Sequence, residues 1–89
     1  MLFLACVGPA PKEDSVLAYA SIEAAKAAQA QRFAPGFYAQ AEEHYRQAFV
    51  DYEERRYREA REHFIQSRQF AEKAENYTIL KRAETGDGE

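Results

Sequence analysis

A chain of 89 residues has room for one domain, and a domain of that size buries only about 60% of the surface its unfolded form exposes. The formal charge of −3 offers no clustered basic surface for a phosphate backbone, which argues against nucleic acid as a partner. The lone Cys6 excludes an intrachain disulfide, and a composition 46% hydrophobic and 30% charged describes a folding chain with a solvated exterior.

Residues 1–11 differ from everything after them. Leu2, Phe3, Leu4, Ala5, Cys6 and Val7 form an apolar run far short of the roughly 20 residues that span a bilayer. Phe3, Leu4, Ala5 and Cys6 resemble a bacterial lipobox, with small Ala5 ahead of the cysteine. On that resemblance Cys6 is the lipidation site, Met1 is a late start, and residues 7–11 are a short tether, since their prolines and glycine resist helix formation. The alternative is a frayed terminus in which Cys6 has no assigned role.

From Pro11 onward the chain reads as helix, because proline is tolerated in a first turn and Glu13 and Asp14 suit the positive end of the helix dipole. Leu17, Ala20, Ala24, Ala27 and Ala28 recur at helical spacing and predict a narrow stripe of small side chains on a first helix over residues 12–33. Pro35 disfavours helical geometry at Ala34 and suits the first turn of a new helix, so Phe33, Ala34, Pro35 and Gly36 read as a turn.

The second helix, residues 36–54, carries Tyr38, Ala41, Tyr45, Ala48, Phe49 and Tyr52 on one side. A third set follows in Tyr57, Ala60, Phe64, Ser67, Ala71, Ala74 and either Tyr77 or Thr78. The five-residue step from Tyr52 to Tyr57 turns about 140° past a full revolution, which puts a break near Arg55 and a third helix over residues 56–84. A single long helix with a rotated stripe is the competing arrangement. Residues 85–89 read as a disordered tail.

These segments form an imperfect repeat. Tyr38, Ala41, His44, Tyr45 and Ala48 recur as Tyr57, Ala60, His63, Phe64 and Ser67, at an offset of 19 residues. A helix of four to five turns plus a short loop has about that length. The expected fold is all-α: an antiparallel three-helix bundle, or a helical hairpin with an additional N-terminal helix.

Two resemblances follow from these residues. Tyr57, Ala60, Phe64 and Ser67 are similar to the second helix of a tetratricopeptide repeat, which implies hairpin packing of that kind. The alanine-rich first helix, followed by Arg32, Phe33, Ala34 and Pro35 and then the two repeat segments, resembles a family of bacterial envelope domains of unknown function. That family often follows a lipobox or adjoins an outer-membrane-protein-A-like domain. The resemblance implies a periplasmic or outer-membrane-associated helical bundle and no reaction, with the cytoplasm as the alternative location.

The residue pattern carries little chemistry. The glycines build no phosphate cradle, and no serine stands in a nucleophile elbow. His44 and His63 fall at similar heights if the hairpin turns near Arg55. The Glu-x-x-His pairs of di-metal bundles are absent, however, since Ala41 and Ala60 occupy those positions, so both histidines are expected at the core boundary with no metal and no cofactor. Six Tyr and six Phe exceed what a small bundle buries, and Tyr38, Tyr45, Phe49, Tyr52, Tyr57 and Phe64 are the candidate partner-binding residues, for another protein or a second copy. The expected function is a non-enzymatic interaction or scaffold module; the alternative is a small metal- or ligand-binding bundle.

Overall fold

The computed structural model describes residues 8–86, and the lipobox-like Cys6 therefore lies outside the described residues. Four helices follow one another: α1 (Lys12–Ala27), α2 (Ala30–Phe33), α3 (Pro35–Glu53) and α4 (Tyr57–Thr85). The fold is all-α, and none of these helices is long and apolar enough to cross a membrane.

Each boundary has a local cause. α1 stops six residues before the expected end, at Ala27, because Gln29 adopts a left-handed conformation (φ 73°) and its N–H turns back to the Lys26 carbonyl. The Ala28 carbonyl accepts a hydrogen bond from Arg82 Nη1 at 2.9 Å, a cation placed at the negative end of the α1 dipole. The single turn of α2 then leads to Pro35, which occupies the first turn of α3 as its fixed φ favours.

The break between α3 and α4 is real, and its geometry is a complete Schellman closure. Arg56 N–H donates to the Asp51 carbonyl at 2.8 Å and Arg55 N–H to the Tyr52 carbonyl at 3.0 Å, with Arg55 left-handed at φ 62°. Glycine normally fills that position; here Arg55 takes it, so no glycine announces the turn.

α3 and α4 run antiparallel: Tyr52 meets Tyr57 beside the turn, His44 meets His63 at mid-height, and Ser67 Oγ donates to the Ala41 carbonyl at 2.7 Å. Asp14 pairs with Arg61 near the start of α1 and α4, and Ala28 with Arg82 near their ends, so α1 runs parallel to α4. The result is an up-down-up bundle with α4 against both partners.

Alanine supplies the buried apolar core except for Ile22, Tyr38 and Phe64. Such small side chains let helix axes approach closely and leave few atoms to fill gaps. On α1 the buried residues are Ala18, Ile22 and Ala25, whereas the expected stripe is solvent-facing at Leu17, Ala20 and Ala27 and half-buried at Ala24 and Ala28. Alanine lies on every side of this helix, and Ile22, its one buried residue larger than alanine, turns that side inward. Residues 8–11 lie against Tyr57, Arg58 and Arg61, with Pro11 buried. At the other end α4 continues through Thr85 and closes on Gly86, whose φ of 75° is left-handed.

Candidate functional site

Successive aromatics along α3 and α4 interlock beside the turn. Tyr45, Phe49 and Tyr52 each pack edge-on against Phe64, with ring centroids 5.8, 5.0 and 6.5 Å away, and Tyr52 also meets Tyr57 at 5.7 Å. Phe64 is completely buried, and Tyr45, Tyr52 and Tyr57 are half-buried. Tyr38 is 3% exposed and belongs to a second cluster with Ile22, Ala41 and Ala71. Of the six aromatics expected to meet a partner, Tyr38 and Phe64 are core residues with no surface to offer, and Phe49 alone is exposed. The cause is the alanine core: with so little volume from other side chains, the aromatic rings are drawn inward to fill it.

The aromatics that do face solvent together lie at the opposite end of the bundle. Phe33, Pro35, Phe37, Gln40 and Tyr77 line a cleft of about 370 Å³. Phe37 meets Tyr77 edge-on at 6.3 Å, and both rings are exposed. No charged side chain lines this cleft, yet cations border it: the Arg32 and Arg82 guanidinium carbons stand 4.8 and 5.9 Å from the Phe33 ring centre, and Lys73 Nζ stands 5.8 Å from that of Phe37. The register of α4 puts Thr78 in the core and Tyr77 outside, which settles the open choice between them. Phe37 was legible only by adjacency, since neighbours on a helix point about 100° apart and Tyr38 already occupies the buried direction.

Midway along the hairpin lies a polar stack. His44 Nδ1 and His63 Nδ1 are 2.9 Å apart, and the rings meet edge to edge with centroids 5.1 Å apart and planes 29° apart. Phe70 stacks on the His44 ring, nearly parallel at 4° and 5.5 Å, and carries Lys73 Nζ 5.3 Å from its centre. His63 Nε2 is 3.9 Å from Asp51 Oδ2. Asp51 is buried, and its Oδ1 accepts from Arg56 Nη2 at 2.9 Å and Gln47 Nε2 at 3.3 Å. Burial and the neighbouring His63 lower the pKa of His44, against a smaller opposing effect from Glu43.

The repeat explains why these two histidines meet. In an antiparallel pair each step forward on α3 is a step back on α4, so repeat-equivalent residues stand face to face at one level only. That level is His44 opposite His63, separated by the repeat length of 19. Asp51 has no counterpart in the repeat, and nothing in its sequence context singled it out. Among the described residues no three His, Cys, Asp or Glu side chains converge as a metal cluster.

Comparison with protein-family models, with curated proteins and with solved structures finds no match in any of the three. The helices themselves define the class: an all-α bundle of three long helices, α1, α3 and α4, with the single turn of α2 between the first two.

Proposed function

We propose that the chain is a non-enzymatic helical interaction module that seats an apolar segment of a protein partner, or of a second copy, in the cleft of Phe33, Pro35, Phe37 and Tyr77. The observation carrying this reading is the exposure of Phe37 and Tyr77 side by side over an uncharged cleft. Contiguous exposed aromatic surface with a polar surround is the usual mark of an interface. Ile79 and Leu80, also exposed, extend the apolar character of the same end of α4.

A photo-crosslinking residue placed at Phe37 or Tyr77, with one at Glu59 as control, tests this in the native host. Adducts of fixed mass at the first two positions and none at Glu59 are expected. Equal yields at all three positions sink the assignment. Sedimentation equilibrium of the wild-type chain and of Phe37→Asp then separates a second copy from a different partner.

The setting proposed with this function is the periplasmic face of a bacterial envelope, with a lipidated Cys6 as anchor. It is supported by the lipobox resemblance of Phe3, Leu4, Ala5 and Cys6 and by the envelope-domain resemblance of the helices. Intact mass and membrane fractionation of the protein expressed with its upstream sequence decide the matter. A membrane-bound product carrying diacyl mass on Cys6 supports the anchor, and a soluble product starting at Met1 removes it.

A further inference from the structure

We propose that the cleft of Phe33, Pro35, Phe37 and Tyr77 takes an acidic segment of another protein, whose apolar side chain enters the cleft while flanking carboxylates meet the cations around it. The inference rests on the interaction reading above and adds to it the charge of the partner.

The supporting observation is the sign of the charge around the opening. The whole chain is net −3, yet the surround of the cleft is cationic. Between Glu23 and Glu42 the chain contains no acidic residue, and Lys26 and Arg32 are its charged groups there. This stretch supplies Phe33, Pro35, Phe37 and Gln40 of the lining. The other wall is α4, where Lys73, Tyr77 and Lys81 recur every four residues and so share one face. Both lysines are exposed, and Lys73 Nζ rests over the Phe37 and Phe70 rings rather than against a carboxylate. Glu72 and Glu75 point about 140° and 160° away from Tyr77 around the helix, whereas Glu84 shares its face but lies about 10 Å farther along the axis, beyond Lys81. The guanidinium groups of Arg32 and Arg82, beside Phe33, complete the border.

Shape selects a polypeptide over a bilayer. An uncharged cleft of about 370 Å³ lies at the small end of the roughly 300–1,000 Å³ of ligand pockets and admits a side chain or two, whereas a lipid surface calls for a convex apolar face. Cations at the rim of such a contact act through the rate of encounter and the choice of partner, and their effect falls with salt.

The test titrates three short peptides into the full chain, each with a central Phe-Leu pair flanked on both sides by Glu, by Gln or by Lys, and reads the Phe37 and Tyr77 ring signals by NMR. The Glu peptide is expected to shift both rings and to bind about tenfold or more tightly than the Lys peptide, with the advantage shrinking as salt rises. The double variant Lys73→Glu, Lys81→Glu should abolish that preference and leave the circular dichroism unchanged, since both side chains are exposed. Shifts at both rings with all three affinities within about threefold of one another overturn the acidic preference and leave the cleft reading standing. Ring signals that no peptide moves overturn this inference, and crosslinking at Phe37 and Tyr77 then decides the cleft reading by itself. Vesicles of anionic phosphatidylglycerol that shift both rings where the Glu peptide does not also overturn it, assigning the cations to a lipid surface.

Discussion

A neutral imidazole has one N–H and one lone pair, so the His44–His63 contact at 2.9 Å requires one ring to donate and the other to accept. Protonating both rings removes the acceptor and sets two positive charges together. The pKa of His44 is lowered from its ordinary 6.5 by burial and by His63, so below that value the folded chain holds fewer protons at His44 than the unfolded chain does. Stability therefore rises with pH in this window and is lost as pH falls from about 6.5 toward the lower folded-state value. Urea midpoints measured from pH 7.5 to 5 in metal-free buffer are expected to show that decline, and His44→Gln to flatten it. The charged and titratable groups involved are His63 and Lys73 on α4 and Glu43 and Asp51 on α3. A second residue-scale expectation concerns Thr78, which is completely buried with a hydroxyl that has no hydrogen-bond partner among the described residues. Thr78→Val keeps the shape and removes that uncompensated group, so it should stabilise by about 1 kcal/mol, seen as a higher urea midpoint at unchanged slope.

The α3–α4 turn shows how a helix ends without the residue that usually ends it. Arg55 takes the left-handed position of the Schellman closure, at a steric cost of about 1 kcal/mol relative to glycine. Arg55→Gly should recover about 0.5–1 kcal/mol and raise Tm by several degrees, at about 4–8 °C per kcal/mol for a domain of this size. Arg55 is exposed, so no packing is lost in the exchange. A fall in Tm on calorimetry would show that Arg55 contributes through interactions outside the turn. The turn also orients the polar stack: Asp51, whose carbonyl closes it, is the residue whose carboxylate faces His63 and binds Arg56.

Across the whole molecule, an alanine core concentrates stability in few side chains. Among the described residues Phe64 is the one completely buried aromatic, and Tyr45, Phe49 and Tyr52 pack on it. Phe64→Ala should cost about 3–5 kcal/mol, about half of the roughly 5–10 kcal/mol available to so small a domain. Circular dichroism is expected to show a low, broad melt, whereas Phe37→Ala at the cleft should leave the melt within about 0.5 kcal/mol of wild type. That contrast separates the aromatics that hold the bundle from those proposed to meet a partner.

The helical class, the start of α3 at Pro35, the break before Tyr57 and the inward stripe of Ala41, Ala48, Ala60, Ser67, Ala71 and Ala74 are legible in the residues alone. Those conclusions follow from backbone chemistry and from stripes in which small and aromatic residues alternate with charge. Packing between helices settles which side of α1 is buried, that Tyr38 and Phe64 are core while Phe37 and Tyr77 are surface, and that Asp51 stands beside His63. Periodicity gives the width of an apolar stripe but not its phase on a helix where alanine occurs on every side. The phase is set when Ile22 and Phe64 fill the spaces alanines leave between helices, a choice that depends on residues distant in the chain.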